Sequence, residues 1–455
     1  MNLKKLIEPE SIAVIGVSFT NPFNPANVIY SKNHYHYKAR TYGVNPNGGL
    51  IYGQKIYKSI AAIPDKIDMA VLAIRAELVP AALRECIAKG VAGAIIISGG
   101  FAEAGRNDLQ QEVIKISQEH DFPVIGPNCI GVFSPPHIDT SFSQTERLVS
   151  PRKGNVALIS QSGGILLDLT IKLTQEGVGI SRTISIGNKA VVDEVELLKY
   201  FKNEPRTKVI GLYLEGFTAD RGRLFVQEAN KLNKPLVLFK SGKTPSGLKA
   251  VGSHTASIAG DYLVFSEVLK GSKAMEVGTL GDFVSYCEAF SYYPETVTGN
   301  NVCIISASGG HGAIAADNCY NAGLNNVLIP AADKDKLRPL LSKNIQAIAS
   351  LENPLDLTGS AGDDDVFTAA KFFMEKDYIH SIVLLLLPYL PRLSSDIGAR
   401  IGQLVLEYNK PIIAYIPHVD KYGIFVDGFE INGIPVSHSV PGAMTMAKAL
   451  ARRKL

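Results

Sequence analysis

Short apolar runs rich in Val and Ile recur along the chain, each followed by a Gly-rich or polar turn and then a helical pattern. Strands buried on both faces read as such continuous runs, so the rhythm predicts parallel strands alternating with helices. One series of predicted strands is Ser11–Ile15, Thr41–Val44, Met69–Ile74, Gly93–Ile97 and Val124–Ile125. A second is Asn155–Ile159, Thr183–Ile186, Val209–Leu214 and Leu236–Phe239. A third is Val302–Ser306, Ser381–Leu387 and Ile412–Ile416, with a weaker member at Asn326–Ile329. Polar, turn-forming segments at Ser150–Gly154 and Tyr292–Asn301 separate the series, and a strand follows each at once. Turn chemistry plus a restart of the rhythm marks a domain boundary. Three α/β units are expected, at 1–145, 150–295 and 300–455. The second and third open alike, with a strand, then Ser-Gln-Ser-Gly-Gly (160–164) or Ser-Ala-Ser-Gly-Gly (306–310), then a helix.

Composition narrows the class. The 455 residues are 46% hydrophobic and 20% charged, which argues against disorder. Net charge is +3, from 46 basic and 43 acidic residues, too balanced for a dedicated nucleic-acid binder. The five cysteines at 86, 129, 287, 303 and 319 show no C-x-x-C spacing, against a disulfide framework or zinc ribbon. No His, Cys, Asp and Glu cluster has metal-ligand spacing, so no metal site is expected. The N-terminus has no apolar signal region, and no apolar run approaches about 18–20 residues. A cytoplasmic protein without membrane or nucleic-acid partners is expected.

Ligands of open α/β sheets bind outside the C-terminal ends of the strands. Three loops of the first unit lie there: Gly16-Val17-Ser18, Val44-Asn45-Pro46-Asn47-Gly48-Gly49 and the segment Ser98–Gly105. Together they would form one crevice for a nucleotide-like ligand; separately, each is an ordinary strand–helix turn. The first is a candidate phosphate turn. It lacks G-x-G-x-x-G spacing, because no glycine follows between Phe19 and Asn27, which weighs against a dinucleotide. Gly126-Pro127-Asn128-Cys129-Ile130-Gly131 reads either as a close approach to a ligand or as a tight interdomain turn.

In the second unit, Ser162, Gly163 and Gly164 open a helix and make an anion cradle of small residues and free N–H groups. The alternative, a serine nucleophile, needs Gly on both sides of the serine, and position 160 is Ser. His254 lies among small residues in Val251–Gly260, unlike a core histidine. Neutral near pH 7, it can serve as nucleophile or base; the plain alternative is a surface loop histidine. Glu215 ends a strand in the same unit and can fix an imidazole tautomer, or be a solvated strand end. His311, at the Ser308–Gly312 turn, is the rival nucleophile, without a partner like Glu215. His34 and His36 read as surface or packing residues.

Taken in order, Gly-Pro-Asn-Cys-x-Gly, Gln-Ser-Gly-Gly, Gly-Asn-Lys-Ala-x-x-Asp (187–193), Tyr-Leu-Glu-Gly, Gly-Ser-His-Thr and Asn-Pro-Leu-Asp-Leu (353–357) resemble the α subunits of NDP-forming acyl-CoA synthetases, relatives of succinyl-CoA synthetase. They look in particular like those of the ADP-forming acetyl-CoA synthetases. The resemblance covers essentially the whole chain. It implies a Rossmann-like CoA-binding domain followed by two flavodoxin-like doubly wound domains. It implies a phosphorylated His254 oriented by Glu215, phosphate held at Ser162, Gly163 and Gly164, and coenzyme A lined by Gly16, Val17, Ser18, Asn45, Pro46, Asn47, Ile74, Ser98 and Gly99. Two departures concern the CoA loops: the later glycine of the first turn is missing, and Asn47 stands where a Lys is common. ADP/ATP and Mg2+ would sit on a β subunit with an ATP-grasp domain, in an α2β2 assembly, since three α/β units leave no residues for one here and no P-loop occurs. Two readings from other classes remain, a nicotinamide-dependent oxidoreductase and a non-catalytic CoA-sensing module.

Overall fold

The structure, a computed structural model, describes residues 1–144, 149–254 and 262–453, with Ser253 and His254 described by backbone alone. Two compact units divide it, Met1–Gly278 and Thr279–Lys454.

The first unit holds two sheets. One contains β1 (Ser11–Ile15), β2 (Arg40–Val44), β3 (Gly49–Ile51), β4 (Gln54–Tyr57), β5 (Met69–Leu72), β6 (Ala94–Ile96) and β7 (Val124–Ile125), in the order β3-β4-β2-β1-β5-β6-β7. Its central strands are parallel, and the short β3–β4 hairpin at the edge is antiparallel. All four residues of β5 are buried, as expected for a strand covered on both faces. Because β1 lies between β2 and β5, the chain reverses its winding direction there and opens a crevice at the strand ends.

The other sheet contains β8 (Val132–Ser134), β9 (Ile138–Asp139), β10 (Lys153–Ser160), β11 (Ile180–Ser185), β12 (Val209–Leu214), β13 (Leu236–Lys240) and β14 (Met275–Glu276). Its order is β14-β13-β12-β10-β11-β8-β9. From β10 onward this is the flavodoxin-like arrangement, in which the first strand lies between the second and third. The hairpin β8–β9, expected in the 1–145 unit, pairs antiparallel with β11 instead. The first sheet therefore ends at Ile125, and residues 126–131 cross between sheets. Such a short two-strand hairpin has no hydrophobic signature strong enough to reveal its partner.

The second unit contains β15 (Asn301–Ser306), β16 (Asn325–Asn326), β17 (Leu355–Asp356), β18 (Ser381–Leu385), β19 (Ile412–Tyr415) and β20 (Val436–Ser437). The order β16-β15-β18-β19-β20 repeats the flavodoxin-like arrangement, and β17 pairs with the end of β15. The helix Leu280–Tyr292 belongs to this unit, where it packs on the helix Val440–Arg452, although it was expected with residues 150–295. A hydrogen bond from the Tyr293 hydroxyl to the Ile412 carbonyl, 2.8 Å, ties its end to β19. Among the described residues no helix is long and apolar enough to cross a membrane.

Candidate active site

The three loops singled out in the first unit lie side by side at the strand ends, and Ile74 lies among them. Asn45 donates its side-chain amide to the Val17 carbonyl at 2.7 Å, linking the β2 loop to the β1 loop. Gly16 has φ +111°, and a Cβ there would meet the Ala73 carbonyl oxygen at 2.4 Å and Ile74 at 2.9 Å. The Ser98 hydroxyl donates to the Ile74 carbonyl. Asn47 N–H donates to Asn45 Oδ1 at 2.9 Å, so Asn45-Pro46-Asn47 is an Asx turn with Pro46 and Asn47 exposed.

One expectation changes here. The first loop is no tight strand–helix turn, because the helix Pro25–His36 starts well after Gly16. Instead Ser18 N–H donates to Asn27 Oδ1 at 2.6 Å and Asn27 returns a bond to the Ser18 carbonyl at 2.8 Å. At Gly16 the loop packs closely on the Ala73 carbonyl and Ile74, and the crevice at the strand ends lies beside it. Two cations that sequence reasoning missed flank it: Arg75, exposed next to Ile74, and Lys58, whose stem would lie 3.0 Å from a Cβ on Gly48. Neither belongs to a motif; only the fold shows their position.

Ser98 leads to the next cavity. Its carbonyl accepts the Asn128 N–H at 2.9 Å. A pocket of about 660 Å³ is lined there by Asn128, Ile130, Ser162, Gly163, Gly164 and Glu215, among others. The crossing segment 126–131 forms one wall, so it is both an intersheet turn and a pocket lining. The turn 187–193 holds that wall: Asn188 and Ala190 N–H groups donate to the Pro127 and Gly126 carbonyls at 2.9 and 3.1 Å. Gly187, at φ +52°, leaves no room for a Cβ, which would meet the Pro127 oxygen at 2.3 Å. Cys129 is buried, which pushes its thiol up to about 12, so it is no nucleophile.

Ser162 caps the helix Gly163–Gln175, its hydroxyl accepting from the Ile165 N–H at 3.4 Å. Its backbone is ordinary extended chain, φ −97° and ψ 125°, not the strained turn of a nucleophile elbow. A Cβ on Gly163 would strike Ile130 Cγ1 at 2.4 Å, whereas the space at Gly164 is open. Free N–H groups of a helix start thus face the cavity, an arrangement suited to an anion. Glu215, buried, has its N–H bonded to Gln161 Oε1 at 3.0 Å, which ties the end of β12 to this turn.

The helix Pro245–His254 supplies the far wall through Gly247, Ala250 and Val251. These recur at helical spacing on one stripe, and position 254 is next on it. The His254 side chain and residues 255–261 lie outside the described residues. His311, in the other unit, has Nδ1 3.1 Å from Ser308 Oγ and its ring against Tyr415.

The loops at the strand ends of the first sheet and the pocket at the start of the helix Gly163–Gln175 are joined by the Ser98–Asn128 hydrogen bond. Residues 10–135 match the family model of a CoA binding domain, and residues 153–290 match that of the succinyl-CoA ligase like flavodoxin domain. The chain is 33% identical to the alpha subunit of acetate–CoA ligase (ADP-forming) I from Pyrococcus furiosus, over 99% of this chain and 97% of that one. It is 37% identical to the acetate–CoA ligase (ADP-forming) of Methanocaldococcus jannaschii over 79% of this chain, and spans about half (49%) of that longer protein. The acetyl-coenzyme A synthetase 1 of Ca. Korarchaeum cryptofilum, solved with phosphate and ADP, superposes with a TM-score of 0.89 at 28% identity, covering 99% of this chain and 97% of that one. The chain belongs to the ADP-forming acetate–CoA ligase family and corresponds to its alpha subunit.

Proposed function

We propose that this chain is the alpha subunit of a two-chain enzyme that interconverts acyl-CoA, phosphate and ADP with the free acid, CoA and ATP. The observation that carries the reading is the continuity of the two sites: Ser98 of the crevice and Asn128 of the anion pocket share a hydrogen bond. CoA lies along Gly16, Val17, Ser18, Asn45, Pro46, Asn47, Ile74, Ser98 and Gly99, with its thioester directed to the pocket. The helix start at Ser162, Gly163 and Gly164 holds phosphate. A phosphate oxygen attacks the thioester carbonyl, the CoA thiolate leaves, and an acyl phosphate results. A ring nitrogen of His254 attacks its phosphorus and the carboxylate leaves. Phosphohistidine then passes the phosphoryl group to ADP. Phosphoryl transfer depends on positioning and charge stabilisation, which backbone donors supply without reorganisation. Glu215 holds the imidazole tautomer and stabilises the charge it develops.

ADP and Mg2+ belong to a β subunit with an ATP-grasp domain, in an α2β2 assembly in the cytoplasm. Small aliphatic acids such as acetate are the first substrates to try, branched or aryl acids the second. The test is incubation with labelled ATP and Mg2+, with and without the β partner, and mapping of the acid-labile phosphate. Labelling of His254 that requires the partner is expected. Rapid labelling of the lone chain, or labelling at His311, would overturn the reading.

A further inference from the structure

The anion pocket has a charge problem. Among the described residues that line it there is no Lys or Arg, and Glu215 puts a carboxylate on its wall. A phosphate dianion entering there is repelled unless a cation lies close behind the wall. Three lysines surround the pocket. Lys189 is buried and locked: its Nζ is 3.1 and 3.2 Å from the two Glu194 carboxylate oxygens and 2.5 Å from the Gly216 carbonyl. Lys243 is held by Glu276 at 2.9 Å. Lys240, at the end of β13, is only 1% exposed. Among the described residues its ammonium has no carboxylate within salt-bridge distance; its partners are the Ser241 carbonyl and the face of Phe265, 5.4 Å to the ring centroid. A Cβ on Gly242, which lines the pocket, would lie 3.6 Å from Lys240 Nζ.

We propose that Lys240 is a positioning residue for the phosphoryl-carrying pocket, its ammonium balancing Glu215 and the incoming phosphate from behind the Ser241–Gly242 wall. The inference rests on the functional reading above. Among the described residues Lys240 has no carboxylate partner of its own, so its charge is left for an anion that enters the pocket, whereas Lys189 and Lys243 are paired within the scaffold. Burial pulls the Lys240 pKa down to about 8; Glu215 and Glu276 act against that, and Lys243 and Lys189 reinforce it. Bound phosphate favours the protonated form and raises the pKa. Phosphate binding therefore takes up a proton above about pH 8 and weakens as pH rises further.

The test measures KM for inorganic phosphate between pH 7.5 and 9.5 in the complex of this chain with its β partner, for wild type, Lys240→Met and Lys240→Arg. Wild-type KM should climb by up to about tenfold per pH unit above the free-site pKa. Lys240→Met should start about tenfold or more higher and stay flat, with KM for acyl-CoA unchanged. Lys240→Arg, charged throughout, should be low and flat. A flat wild-type profile, or Lys240→Met indistinguishable from wild type, overturns the role of Lys240; the wild-type profile decides alone if the variants do not fold. A wild-type enzyme that forms no phosphohistidine overturns both readings, whereas one that labels normally alongside an unaltered Lys240→Met removes only this one.

Discussion

Ser160 and Ser306 each end the first strand of a flavodoxin-like sheet, and each is tied to the second serine of its turn by the same two bonds. Ser160 Oγ donates to the Ser162 carbonyl at 2.6 Å and accepts its N–H at 3.1 Å; Ser306 does the same to Ser308 at 2.7 and 3.0 Å. Both turns then feed two glycines into a helix. They part company at the neighbouring strands. Ser160 lies beside Ser185 of β11, but Ser306 lies beside Asp356 of β17. A Cβ on Gly309 would sit 2.9 Å from Asp356 Oδ2, so the positive end of the second helix already faces an anion of its own. On the other flank, Tyr213 pairs with Ser160 and leads to Glu215, while Leu385 pairs with Ser306 and leads to the buried Leu387. The start of the first helix thus meets no carboxylate from β11, whereas that of the second meets Asp356 of β17, and the similar pentapeptides say nothing of either strand.

The sharpest way to break this comparison is at the two histidines. His254→Ala should abolish net ATP formation and leave CoA binding nearly intact, and His311→Ala should leave both in place; coupled turnover and CoA titration read them. Loss of activity in the His311 variant instead would move the chemistry to the second turn. Next in size, Glu215→Gln should slow His254 phosphorylation by about 10²-fold or more, because an amide stabilises a developing imidazolium less well. Rapid-quench labelling at wild-type rate would reduce Glu215 to a strand end.

Smaller effects sharpen the comparison at the glycines. Gly163→Ala drives a methyl into Ile130 and should cost about 1–3 kcal/mol in chemical denaturation along with a weaker phosphate site. Gly310→Ala, with nothing within 4 Å of its Cβ, should fold as well as wild type and phosphorylate normally. Smallest of all, Asp356→Asn should lower stability by about 0.3–1 kcal/mol, the usual worth of a charge at a helix N-terminus. Phosphorylation should not change; a defect there would mean that the second turn takes part in the reaction.

The core strands were legible because their burial on both faces leaves unbroken apolar runs; Val209–Leu214 is observed over its predicted span. The loops at their ends were legible because they concentrate Gly, Ser and Asn. What escaped were the short strands β3, β4, β8, β9, β14, β17 and β20, whose side chains are too few to carry a period, although the equally short β7 was legible as an apolar pair. Two of them matter for chemistry: β17 brings Asp356 to the second turn, and β8 carries the crossing that lines the first pocket. Lys240 escaped for a related reason. It stands at the end of an apolar strand like any solvated terminus, and its burial exists only once Phe265 and Ser241 enclose it.

Local chemistry, then, was written in the chain: apolar period, turn residues, and the order of the motifs along it. Electrostatic meaning was not. Whether a helix start is open or answered by a carboxylate, and whether a lysine is paired or waiting, depends on residues far away in sequence, such as Ser306 and Asp356, brought together across a sheet. Period and turn signals act over a few neighbours, while charge acts through space, and only folding decides which charges become neighbours.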